Sequence, residues 1–239
     1  MHFLGDIHGD FYSVEKFCRK NEGKKKINLI QIGDFGAGFD FGIPGQFIQN
    51  MDYLNTILAE SNITLYVLRG NHDDPQYFTG TYENYWSNIK LMPDYSVIEI
   101  EGKRVLLVGG AVSIDRLHRP EGKSWWPDEI FVLDEKKLMT MYGIDVVATH
   151  SSPIFCYPTE FNKLVYSFAA NDPTLLDELR HERESIARMY DILIKNGNYI
   201  QNWFYGHFHA EKHMVHDITQ FNLLSINQYY EYGAEQIGD

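Results

Sequence analysis

The stretch Arg69-Gly70-Asn71-His72-Asp73 follows directly on the apolar run Ile63-Thr64-Leu65-Tyr66-Val67-Leu68, and its reading decides the fold. A run rich in β-branched residues that stops at a glycine predicts a buried strand. The three side chains after the glycine can each bind a metal or move a proton. In open α/β sheets, sites lie beyond the carboxyl ends of the strands, so these residues stand where chemistry is done. Gly-Asn and Asp-Pro are also ordinary turn formers, and alone the segment reads equally well as a turn.

Working outward, the same punctuation recurs. Residues 2–5 are a short apolar run leading into Asp6-Ile7-His8, and Ile27–Ile32 leads into Gly33-Asp34. Ile144–Thr149 ends at His150, and Tyr199–Tyr205 ends in Gly206-His207-Phe208-His209. Between these runs, Phe11–Glu22 places Val14, Phe17 and Cys18 at helical spacing, with Gly23 as its stop. Gln46–Glu60 carries Phe47, Met51, Leu54, Ile57 and Leu58, the stripe of an amphipathic helix. Strand, helix, strand, helix, strand predicts a layered α/β domain with parallel pairing.

Downstream, Ser96–Gly109 predicts a β-hairpin around Glu101-Gly102-Lys103, and Asp134–Tyr142 a helix. A long helix is expected from an Asp172-Pro173 start through Leu193, ending at Gly197, with further strand around Phe221–Ile226. Phe35–Gly45 and Ala111–Ile130 read as loops, and Tyr77–Asp94 as an aromatic, irregular stretch without an assignment. Without repeats or a linker, residues 1–239 are expected to form a single domain.

The net charge of −12 argues against a broad basic surface for long nucleic acid, but leaves phosphorylated substrates open, because bound cations reverse the sign of an acidic pocket. No apolar run approaches a membrane span and no basic leader precedes Asp6. Two cysteines, Cys18 and Cys156, are too few for a disulfide framework, although they could pair with each other. The expectation is a cytoplasmic protein without a membrane partner. Its oligomeric state is unspecified.

Asp6, His8, Asp34, Asn71, His150, His207 and His209 make seven candidate ligands, more than one tetrahedral ion needs and suited to two divalent ions sharing a carboxylate. In extended chain, i and i+2 face the same way, so Asp6 and His8 converge, as do His207 and His209. A mixed oxygen/nitrogen set suits manganese first, with iron, zinc or nickel also compatible.

In this order the motifs resemble the calcineurin-like metallophosphoesterase superfamily, over residues 5–209. The resemblance implies a four-layer α/β/β/α sandwich and hydrolysis of a phosphate ester by a hydroxide shared between two ions. It implies Asp6, His8, Asp34 and His209 around the first ion. Asp34 would bridge to a second, completed by Asn71, His150 and His207. His72 would protonate the leaving oxygen. Arg69, placed immediately before Gly-Asn-His, resembles the phosphoprotein phosphatase branch and would grip the substrate phosphate; the plainer reading is a strand-end arginine paired with an acid.

The branch places an aspartate three positions after Asp34, to orient the catalytic histidine; Ala37 stands there instead, with Asp40 and Asp73 as possible substitutes. In the loop after Ala111, Arg116, His118 and Arg119 could meet substrate, and Trp125 and Trp126 could wall a pocket or simply pack. His181, His213 and His216 fall outside the pattern. A phosphomonoesterase is expected ahead of a nucleotide or nucleic-acid phosphodiesterase, with a non-catalytic metal-binding scaffold as the remaining alternative.

Overall fold

The computed structural model describes residues 1–233 apart from positions 41 and 83. One position each of the loop Phe35–Gly45 and the irregular stretch Tyr77–Asp94, and the last six of the expected domain, lie outside the described residues. The first sheet contains β1 (His2–Leu4), β2 (Ile27–Ile32), β3 (Ile63–Leu68), β4 (Ile89–Leu91) and β11 (Tyr229–Glu231), in the order β11-β1-β2-β3-β4. The second holds β5 (Ser96–Ile100), β6 (Lys103–Val108), β7 (Val146–Thr149), β8 (Asn202–Tyr205), β9 (Lys212–His216) and β10 (Thr219–Leu223), in the order β5-β6-β7-β8-β10-β9. The strands β1 to β4 are mutually parallel, as are β6, β7 and β8.

Side-chain alternation builds four layers. On β2, Leu29 turns outward to Val14 and Cys18 of α1 (Phe11–Lys20) and to Phe47, Met51, Leu54 and Leu58 of α2 (Gln46–Glu60). Its neighbours Ile30 and Ile32 turn inward, joining Phe3 and Leu68 against Val105, Leu107, Val146, Ala148 and Phe204 of the second sheet. Phe3 stacks on Phe204 across this interface with ring centroids 3.7 Å apart. The far face of the second sheet, including Leu106, Val147 and Trp203, packs on Leu138 of α3 (Glu135–Leu138) and Ile186, Met189 and Leu193 of α5 (Leu175–Lys195). The central strands are buried on both faces, which is why they read as continuous apolar runs. The expected α/β/β/α sandwich is the observed one.

Some expectations are corrected. β4 lies within the stretch read as irregular; three residues with an exposed Lys90 give no periodic signal. The helix expected over Asp134–Tyr142 is one short piece, capped where Asp134 accepts from the Lys137 amide at 3.0 Å. The helix α4 (Lys163–Ala169) was not anticipated: it has 7 residues, about two turns, and none of them is fully buried. Cys18 and Cys156 are free and sit in the two separate outer cores, so they do not pair.

The long helix starts at Leu175, with Thr174 at its cap, and not at Asp172-Pro173. Asp172 is engaged elsewhere. Its carboxylate takes the Arg116 guanidinium at 2.6 and 3.0 Å, and Arg116 also binds Glu178. These contacts fasten the loop after Ala111 to the first turn of α5. Hydrogen bonds from Arg116 hold both carboxyls below their usual range. Depressed carboxyls stabilise the fold above their unfolded range, near pH 4, and lose that contribution as the pH falls through their folded values. Arg116→Ala is therefore expected to cost about 1–2 kcal/mol at pH 7, between the values for exposed and buried pairs, and progressively less as the pH falls below about 4. Thermal melts of both proteins across that range check this; a deficit independent of pH would refute it.

Candidate metal centre

The carboxyl ends of β1, β2, β3, β7 and β8 deliver all seven expected ligands to one place. Asp6, His8, Asp34 and His209 offer donor atoms lying within 4.8 Å of one another, and so do Asp34, His150 and His207. Asp34 belongs to both groups. The Nε2 atoms of His8 and His209 are 3.0 Å apart, with Asp34 Oδ2 3.7 Å from the first and Asp6 Oδ2 3.4 Å from the second. Asp6, Asp34 and His150 are sealed, whereas His209 is half exposed, so the cluster opens on that side.

The donor chemistry fits divalent cations. His150 Nδ1 lies 2.8 Å from the Ile32 carbonyl and must donate to it. Its Nε2 lone pair therefore faces Asp34 Oδ1 at 3.2 Å and Asn71 Oδ1 at 3.1 Å, so three electron-rich atoms converge. Without a metal, only a proton can reconcile them. Burial opposes that proton, but Asp34 outweighs it and pushes His150 up to about 10. Burial likewise pushes Asp6 up to about 8, against the pull of His150. Asp34, despite its own burial, is held well below the carboxylate range by His150. Bound cations would take over this charge balance and leave both carboxylates ionised.

The backbone is bent to serve the cluster. His8, Asp34, His207 and His209 have φ of 45°, 54°, 69° and 49°, in the left-handed region that non-glycine residues avoid. Gly70 and Gly206 allow close approach: a Cβ on Gly70 would fall 2.1 Å from the Asp34 amide nitrogen, and one on Gly206 would fall 2.2 Å from Asp6 Oδ1.

His72 lies beside the cluster. Its amide donates to Asp34 Oδ1 at 2.8 Å, and its ring meets that of His8 edge-on with centroids 5.0 Å apart. Neither substitute for the aspartate missing at Ala37 orients it. Asp40 accepts from the Gly45 and Phe47 amides at the start of α2. Asp73 is buried and accepts from the amides of Phe35, Gly36, Ala37 and Gly70 at 2.7–3.2 Å. The group on His72 is Arg119, whose Nη1 lies 3.1 Å from His72 Nε2.

The structure does not bring the Arg69 guanidinium to the cluster. All five of its N–H donors are taken, by Asp94 Oδ2 at 3.0 and 2.7 Å and by the carbonyls of Asp128, Glu129 and Ile130 at 2.7–3.2 Å. It is 5% exposed, and no donor remains for a phosphate. Arg69 thus fastens Asp94 and the segment Asp128–Ile130 to the end of β3.

Ser113 was missed. Its Oγ accepts from Asn71 Nδ2 at 2.8 Å, which turns the Asn71 oxygen toward His150, and it also contacts Arg119 at 3.1 Å. Its own amide donates to the buried Glu129 at 3.0 Å. The available signal was Gly109-Gly110, which ends β6 as glycines end the other strand runs. Of the remaining loop residues, His118 meets the Phe168 ring, and Trp126 stacks on Phe39 and with it lines a cavity of about 530 Å³. His213 and His216 sit on β9, engaged by Asn222 and by the Phe155 ring.

Two parallel-centred sheets with an oxygen/nitrogen donor set shared at one carboxylate define a metallophosphoesterase. The family model for calcineurin-like phosphoesterases matches residues 2–211, and the chain belongs to that family of metal-dependent hydrolases acting on phosphate esters. A search of curated proteins finds no match to this chain. Among solved structures, a phosphopantetheinyl hydrolase from Mycobacterium tuberculosis is similar at 15% identity and TM-score 0.51, covering 95% of this chain and 89% of that one. A putative 5′-nucleotidase from Staphylococcus aureus is similar at 16% identity and TM-score 0.50, covering 95% of this chain. This chain spans about half of that protein, 48% of its length. Both likenesses are of fold. The family uses a dinuclear metal centre, and the two Asp/His groups joined at Asp34 could hold one. Among the described residues, no helix is long and apolar enough to cross a membrane.

Proposed function

We propose that the protein is a dinuclear-metal phosphomonoesterase acting in the cytoplasm, with the whole chain as one catalytic unit. The observation that carries this reading is the sharing of Asp34 between two donor groups with His72 alongside. Asp6, His8, Asp34 and His209 would hold one ion; Asp34, Asn71, His150 and His207 would hold the other. Such a pair supplies positive charge for the phosphoryl oxygens and makes water acidic enough to react near neutral pH. Manganese is the expected metal, with iron, zinc and nickel compatible with the same donors.

The protein's own groups handle the leaving oxygen. In the resting site burial above all, with Arg119 adding to it and Asp34 pulling the other way, holds His72 down to about 4. Its Nε2 then accepts from Arg119. A phosphate dianion arriving there draws the guanidinium onto its oxygens and supplies the negative charge that lets Nε2 hold a proton for the departing alcohol. With Arg69 committed to the loop, the likeness to phosphoprotein phosphatases loses its phosphate grip, and Arg119 takes that role.

Phosphate release from p-nitrophenyl phosphate and from bis-p-nitrophenyl phosphate tests the reading, with metal content measured on the same sample. The expected result is two bound manganese ions, preference for the monoester and loss of turnover on chelation. Preference for the diester would favour a phosphodiesterase, and bound metal without hydrolysis of either ester would favour a scaffold.

A further inference from the structure

A cavity of about 450 Å³ runs from the cluster toward α4 and α5. At one end it is floored by Asp34, Asn71, His72, His207 and His209. Ile114, Phe161, Leu164, Val165, Phe168 and Phe208 give it apolar walls. That face is apolar because α4 is only half covered: Phe161, Val165 and Phe168 pack with one side on the small core of Val112, Leu175 and Leu179, leaving the other side to the cavity.

The charges on the wall are informative. Asp115, Glu160 and Glu182 line it, and among the described residues Arg183 is its one lysine or arginine. Arg183 is partly committed: its Nη2 donates to the Pro153 and Cys156 carbonyls at 3.2 and 2.7 Å and its guanidinium lies over the Phe208 ring, while its buried Nε has no partner among the described residues. One arginine set against three carboxyl groups leaves a second phosphate facing net repulsion and an unrepaid desolvation cost. An uncharged apolar group would exchange water for aliphatic and phenyl surface.

We propose that this cavity seats the leaving group of the ester, and that the leaving group is an uncharged, aromatic or otherwise apolar alcohol small enough for one or two rings. The geometry follows the reaction: His72, which protonates the leaving oxygen, lines the same cavity, so the alcohol departs into it. The inference rests on the phosphomonoesterase reading. It also explains why the short helix α4, close to an acidic cluster, is apolar on the side that lines the cavity.

The test compares kcat and KM of the manganese-loaded protein for four esters of phenols of similar acidity. These are phenyl, 4-butylphenyl and 1-naphthyl phosphate, and 4-(2-carboxyethyl)phenyl phosphate. Calorimetric binding of methylphosphonate and naphthylmethylphosphonate supplies a readout that needs no turnover. The butyl and naphthyl esters are expected to exceed phenyl phosphate at least about tenfold in kcat/KM, mainly through KM, and the carboxyethyl ester to fall below it. Naphthylmethylphosphonate should bind at least about tenfold tighter than methylphosphonate. Leu164→Asp, at an exposed position on α4, and Val165→Trp, which fills the cavity, should each erase these preferences, lowering kcat/KM for the butyl and naphthyl esters at least about tenfold more than for phenyl phosphate. A flat series, or variants that depress every ester equally, would overturn the subsite and leave the phosphomonoesterase reading standing. No hydrolysis of any of the four esters would remove that reading, and the leaving-group role with it.

Discussion

His72→Asn is expected to keep both metal ions and to lose turnover of an alkyl phosphate about 10²–10⁴-fold, the usual contribution of a positioned proton donor. The reason is geometric. The contact that places residue 72 at the cluster is made by its backbone amide to Asp34 Oδ1 at 2.8 Å, and it survives the substitution. Only the ring is lost. The deficit should shrink for p-nitrophenyl phosphate, whose leaving oxygen departs without a proton. Metal content by mass spectrometry and kcat for the two esters, wild type against variant, decide the matter. An equal loss on both esters would mean that His72 positions substrate and does not donate; unchanged turnover would remove it from the chemistry.

Gly70→Ala should empty the site. The new methyl group would fall 2.1 Å from the Asp34 amide nitrogen and 2.2 Å from its carboxylate Oδ1, and neither can yield. The former is main chain at a left-handed residue, and the latter accepts from the His72 amide and faces His150, on the carboxylate common to both donor groups. Displacing Asp34 dismantles both halves at once, so the expected result is fewer than one ion per chain and no measurable turnover, with a lowered melting temperature. Two ions retained by Gly70→Ala would show that Asp34 does not serve both.

The large features of this fold were readable because they are repeated. Each central strand is an apolar run ending in glycine or directly in a ligand, and α2 and β3 begin and end where their patterns do. What escaped detection is short. Residues 89–91 are too few to alternate, and α4 half-buries its apolar side chains against a small core. At the site, the residues that could bind metal were legible by type and order, since few other chemistries combine aspartate, asparagine and histidine at five strand ends. Arginines were not legible. Arg69 and Arg119 are interchangeable as letters, and only the placement of the loop after Ala111 shows that one is exhausted on carbonyls and the other reaches His72. Asp172 misled for a related reason, because a capping residue and an ion-pair partner look alike in sequence.

The carboxylate of Asp73 carries a last consequence. By accepting four backbone amides, it rivets the turn after β2 to the turn after β3 beneath the cluster. Where the related branch would use a side chain at position 37 to aim its histidine, this protein fixes the main chain on both sides of it. The cost of ordering these loops is thus met during folding, and little of a substrate's binding energy is spent on assembling the site. The site is preorganised: affinity for a phosphate group should depend on the ions and Arg119, and selectivity among esters on the alcohol side.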